Sequence, residues 1–111
     1  MKSPRVDETV RALLNELKSG LDRIYGERLE GVYLYGSYAR GEDERESDVD
    51  VIVVLQDFDS YGAEIDRTGV LGADLSLKYG VSISRVFVRE SDWLGKETPF
   101  LLNAREEAIR S

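Results

Sequence analysis

The segment Leu34-Tyr35-Gly36-Ser37-Tyr38-Ala39-Arg40-Gly41 runs into an acidic loop and then into Ser47-Asp48-Val49-Asp50-Val51-Ile52-Val53-Val54-Leu55. Ten residues separate Gly36-Ser37 from Asp48, and Asp50 follows two positions on. Gly31 to Tyr35 reads as a short buried strand, Gly36 to Ser47 as turn and loop, and Val49 to Leu55 as a second strand rich in β-branched residues. Gly36 permits close backbone approach, and Ser37 adds a hydroxyl beside its own amide, so successive amides there can form an anion nest. Side chains two apart on a strand share a face, so Asp48 and Asp50 should project together. At about 4 Å and an effective dielectric near 20 their repulsion is roughly 4 kcal/mol. A divalent cation relieves it, and Mg²⁺ prefers one or two protein carboxylates with water and substrate phosphates completing its shell. Taken singly, each element has a plainer reading. Aspartates often close turns beside a strand, and Gly-Ser often makes an ordinary turn.

Outward from this segment, the N-terminal half-chain predicts a helix. Ser3 and Pro4 are a hydroxyl cap and a first-turn proline. Val6, Val10, Leu13, Leu14, Leu17, Leu21 and Ile24 recur at three- and four-residue steps, and Gly26 terminates the run. A second helix is expected over about 63–79, with Ile65, Leu71, Leu75 and Leu77 in the core, Gly69 and Gly72 weakening it, and Gly80 as a left-handed cap. Val81 to Val88 reads as a third strand and Ser91-Asp92-Trp93 as a single turn. Thr98-Pro99 repeats the cap-plus-proline signal before a last helix with Phe100, Leu101, Ala104 and Ile109. The expected architecture is α/β (α+β), a small mixed sheet flanked by helices in the order α-β-β-α-β-α, as one domain over 1–111.

Bulk chemistry excludes several classes. With 22 acidic and 15 basic residues the net charge is -7, which disfavours non-specific binding to nucleic acid or anionic membrane. The chain contains no Cys and no His, so disulfides, thiolate chemistry and His acid–base catalysis are out, and zinc is disfavoured. The longest apolar run, Val51 to Leu55, is far short of the roughly 20 residues of a membrane span. The N-terminus lacks a signal-peptide apolar core, and a cytoplasmic location is expected.

Gly36 and Gly41 imitate the glycines of a P-loop, but Glu42 and Asp43 stand where Lys and Ser/Thr are required. Arg40 could reach a phosphate or pair with Glu42, Glu44 or an aspartate. The six tyrosines and Trp93 read as packing residues, with no stacking array visible.

Jointly, these elements resemble the minimal nucleotidyltransferases of the DNA polymerase β superfamily. That family's signature is Gly-Ser, ten residues, then Asp-x-Asp, matched here by Gly36-Ser37 and Asp48-x-Asp50 with Ala39-Arg40-Gly41 and Ser47 as embellishments. The resemblance implies a polymerase β palm-like fold and Mg²⁺- (or Mn²⁺-) dependent transfer of a nucleoside monophosphate, AMP from ATP or another NTP, to an acceptor hydroxyl. It assigns the triphosphate to Gly36, Ser37 and Arg40 and the metal to the catalytic aspartates Asp48 and Asp50. It also implies an antitoxin-like partnership with a HEPN-type protein, whose tyrosine is a candidate acceptor. One departure stands out. The family takes a third carboxylate from the next strand, and the aligned position here is Ser84, while Glu90 and Asp92 lie beyond the strand. The alternative is a catalytically silent antitoxin that binds a partner, and perhaps nucleotide, without turnover.

Overall fold

The computed structural model describes residues 8–36 and 48–111, so the expectations for Ser3, Pro4, Val6, Ser37, Arg40 and Ser47 lie outside the described residues. Helix α1 (Glu8–Tyr25) is followed by a 3-10 turn, Gly26–Arg28, and strand β1 (Leu29–Tyr35). Strand β2 (Val49–Leu55), helices α2 (Tyr61–Arg67) and α3 (Gly69–Tyr79), strand β3 (Ile83–Arg89), helices α4 (Glu90–Gly95) and α5 (Pro99–Glu107) and the two-residue strand β4 (Ile109–Arg110) complete the order. The sheet runs β3-β2-β1-β4. β1 pairs antiparallel with β2 and β4, and β2 pairs parallel with β3 through the α2–α3 crossover.

β2 explains this layering. Its apolar run is unbroken by polar positions, so both of its faces need cover. Val49, Val51, Val53 and Leu55 pack in one core with Leu13, Leu17 and Leu21 of α1 and Leu75 of α3. Ile52 and Val54 turn the other way, into a second core with Trp93, Leu101 and Ala104 of α4 and α5. The strand therefore sits second in the sheet, between two helical layers. Of the described helices, none is long and apolar enough to cross a membrane.

The expected mixed sheet flanked by helices is what forms, with three local differences. The second helix breaks in two at Thr68, a fully buried residue whose hydroxyl donates to the carbonyls of Glu64 and Ile65 at 3.0 and 3.3 Å. Those bonds compete with the helical ladder, and Gly69 follows without opposing the break. Leu77 is 84% exposed and Ile24 37% exposed, so neither belongs to the core. Ile109 leaves the last helix and joins Arg110 in β4, opposite Leu34 and Tyr33. Phe100 stands in the last helix as expected and is 38% exposed. The capping signals hold: Gly80 is left-handed at φ 69°, and the Thr98 hydroxyl accepts from the Leu101 amide at 3.3 Å.

At the end of the sheet where β1 begins and β2 finishes, a buried carboxylate ties α1 to α2. Tyr25 donates its hydroxyl to Glu64 Oε1 at 2.6 Å, and Arg67 Nε lies 3.1 Å from the same oxygen. Burial alone would raise the Glu64 carboxyl. The Tyr25 and Arg67 bonds outweigh it and hold the group below its ordinary 4.5, while burial and the same bond push the Tyr25 hydroxyl up. A carboxyl depressed on folding adds stability that is complete above its unfolded value and is lost as pH falls through the folded one. Urea unfolding should thus show part of the stability disappearing below about pH 4.5, and Glu64→Gln should remove that part of the acid dependence. Glu64→Ala, which strands the Tyr25 hydroxyl, is expected to cost about 1–3 kcal/mol at pH 7.

Candidate active site

The opposite end of the sheet is where Gly36 and the aspartates meet. β1 ends at Tyr35, and Tyr35 is the antiparallel partner of Asp50. Gly36 follows with φ +79°, a conformation L side chains rarely adopt. Any Cβ there would collide with Asp50 Oδ2 and stand 3.3 Å from its Cγ. Two independent constraints thus require glycine: the left-handed turn and a carboxylate lying directly against the backbone. The turn at Gly36 and the Asp50 carboxylate are in contact.

Val49 fixes where the acids face. It is fully buried in the core beneath α1, so alternation directs Asp48 and Asp50 to the other side of the sheet. On that side Ile52 and Val54 are covered by α4 and α5, whereas Asp50 is half-buried and Asp48, one residue ahead of β2, is exposed. The acids therefore stand at the uncovered rim of this face. Oxygen donors of this kind suit a hard cation such as Mg²⁺, which takes few carboxylates and fills its shell from water and phosphate. A cation held by these acids would stand beside the Gly36 turn, whose backbone amides could take a phosphate.

Asp50 has a second neighbour. In the parallel ladder it pairs with Ser84 of β3, the position aligned with the family's third carboxylate. Among the described residues no group of three or more His, Cys, Asp or Glu could hold a metal. The register thus sets a hydroxyl, not a third carboxylate, beside Asp50.

Two further neighbours are Tyr35, expected only as a strand and packing residue, and Phe100, expected only as a residue of the last helix. Tyr35 shares the Asp50 face by register, and its ring meets that of Phe100 edge-on at 5.6 Å. Tyr35 directly precedes the Gly36 turn, which the sequence shows, and its place beside Asp50 comes from the register. Phe100 gave no signal, because its exposure depends on how α5 lies across the sheet. A cleft of about 540 Å³ opens at the far end of the sheet, lined by Arg28, Asp57, Glu64 and Arg67 among others. Arg28 there donates to the Asp57 carbonyl and Arg67 pairs with Glu64, so both guanidiniums are already engaged.

The model of the family described as "Nucleotidyltransferase domain" matches residues 14–104. The chain belongs to this nucleotidyltransferase family. Two Methanocaldococcus jannaschii proteins are similar over most of this nucleotidyltransferase. "Putative protein adenylyltransferase MJ0141" is 32% identical over 71% of this chain and 79% of its own, and "Putative protein adenylyltransferase MJ0604" is 38% identical over 76% and 74%. Among solved structures, one titled "Structure of putative minimal nucleotidyltransferase" superposes with a TM-score of 0.65 at 25% identity, covering 92% of both chains. Another, a toxin–antitoxin crystal structure with AMP-PNP, superposes at 0.61 with 22% identity over 86% of this chain and 71% of that one, a likeness of fold.

Gly36→Ala should damage both fold and site. A left-handed non-glycine residue costs roughly 1–2 kcal/mol, and the added methyl must displace the Asp50 carboxylate. Chemical denaturation should register the first effect. Loss of Mg²⁺-ATP binding by titration calorimetry should register the second.

Proposed function

We propose that this nucleotidyltransferase transfers AMP from ATP to a hydroxyl on a protein partner, in a reaction that depends on Mg²⁺ or Mn²⁺. One observation carries the reading: the Gly36 turn lies against Asp50, with Asp48 two residues away. In this reading the Asp48 and Asp50 carboxylates hold the cation, and the Gly36 amide, Ser37 and Arg40 orient the triphosphate. A cation bound there supplies charge neutralisation on the phosphates as negative charge develops. The acceptor oxygen forms a bond to the α-phosphorus, the bond from that phosphorus to the bridging oxygen breaks, and pyrophosphate departs with the electron pair. The hydroxyl proton passes to a base or to water. Positioning and electrostatics account for most of such catalysis.

The names of the archaeal relatives favour a protein acceptor. Toxin–antitoxin complexes among the neighbours of the fold favour a toxin partner, which we take to be of the HEPN type, with tyrosine as the modified residue. Labelled ATP, Mg²⁺ and the co-encoded partner should yield a labelled partner, and Asp48→Ala should abolish the label. A partner left unlabelled by the wild type, or labelled equally by Asp48→Ala, would refute the reading.

Ser84 beside Asp50 favours a second reading, an antitoxin that neutralises its partner without turnover. In that case Asp48→Ala/Asp50→Ala still binds and neutralises the partner. Loss of neutralisation in a folded double variant would reject this alternative.

A further inference from the structure

We infer that the aromatic step made by Tyr35 and Phe100 seats the nucleobase of the triphosphate; this rests on the nucleotidyl-transfer reading above and names the contact that reading leaves open. The step begins at the site, because Tyr35 is the register partner of Asp50 and directly precedes the Gly36 turn. It continues outward, because the Phe100 ring packs edge-on against Tyr35 at 5.6 Å. An edge-on pair leaves a ring face uncovered, and Phe100 is 38% exposed while Leu101 beside it is 5% exposed and Ala104 is fully buried.

That exposure sits on a fixed backbone. Phe100 occupies the first turn of α5, where Pro99 sets the entry and the Thr98 hydroxyl accepts from the Leu101 amide. Leu101 and Ala104 lock the same helix onto Ile52, Val54 and Trp93. The ring is thus presented from a rigid element, as a binding platform requires. Electrostatics adds a reason for an apolar contact. A chain of net charge -7 repels a polyanionic nucleotide at long range, and the apolar face of a base is the part of the ligand that this repulsion does not penalise. Stacking on an aromatic ring tolerates any base, since every base has a π-face.

The test compares two ligands that differ only in the base. ATP and ribose 5-triphosphate, each with Mg²⁺, are titrated calorimetrically into the wild type, Phe100→Ala and Phe100→Trp. The wild type should bind ATP roughly tenfold more tightly than ribose 5-triphosphate, the range expected for one stacked base. Phe100→Ala should bind the two ligands alike, with ribose 5-triphosphate affinity unchanged, and Phe100→Trp should restore the preference for ATP. A wild type that binds both ligands equally overturns the inference and leaves the transfer reading standing. So does a Phe100→Ala protein that keeps its preference for ATP. Equal weakening of both ligands in Phe100→Ala makes the ring a structural support and likewise overturns it. A wild type that binds neither ligand rejects the transfer reading and this inference with it.

Discussion

Asp50→Asn is expected to reduce AMP transfer roughly a thousandfold or more while leaving the fold intact. A bound divalent cation supplies several kcal/mol of transition-state charge stabilisation, and each 1.4 kcal/mol is tenfold in rate. Asparagine keeps the shape of the side chain against Gly36 and its place between Tyr35 and Ser84. It removes only the charge and one acceptor oxygen. Thermal unfolding should therefore stay within a few degrees of the wild type, while the Mg²⁺-dependent part of ATP binding disappears. Asp48→Asn should lower transfer as well, and because Asp48 is exposed ahead of β2 whereas Asp50 is half-buried between two strands, it should disturb the fold less. Equal activity of Asp50→Asn and wild type, read as labelled partner per unit time, would remove Asp50 from the chemistry.

Local signals made most of this fold legible. The apolar, β-branched run Val51–Leu55 marked a strand, and the structure covers that strand on both faces. Gly80 and Thr98-Pro99 marked helix ends because caps depend on a few neighbouring residues. The misread positions depend on tertiary partners. Leu77 stands only two residues past Leu75, so when α3 turns Leu71 and Leu75 toward α1 it faces outward. Ile109 reads as a helix residue until Leu34 offers it a strand edge. Thr68 breaks a helix that would otherwise run on, and nothing in its neighbours' periodicity forecasts the two hydroxyl bonds that do so. Within the candidate site, the Gly36, Asp48 and Asp50 pattern was visible as spacing. What spacing alone could not supply was contact: that residue 36 touches the acid fourteen positions later follows from the β1–β2 register. The same holds for Ser84, whose alignment beside Asp50 became a ladder pair only when β3 was placed parallel to β2.

Ser84→Asp is the substitution that separates an impaired enzyme from a silent binder. Paired residues on adjacent strands lie about 5 Å apart, so a carboxylate at 84 would stand next to that of Asp50. At an effective dielectric near 20 the repulsion between them is about 3 kcal/mol, which should lower the melting temperature of the metal-free variant. Mg²⁺ should reverse the loss, because binding to the native state alone stabilises it by mass action. The variant should therefore show a larger Mg²⁺-induced thermal shift than the wild type. If proton removal from the acceptor limits the wild type, the new carboxylate can serve as general base, and transfer should rise by about 10²–10⁴-fold, the range such a base contributes. A variant with the larger Mg²⁺ shift and faster labelling of the partner would identify Ser84 as what slows this chain. A larger shift with no labelling from either protein would instead favour the silent antitoxin. If neither the Mg²⁺ response nor the transfer rate changes, position 84 lies outside the metal's reach, and the third place of the site must be sought elsewhere in the chain or on its partner.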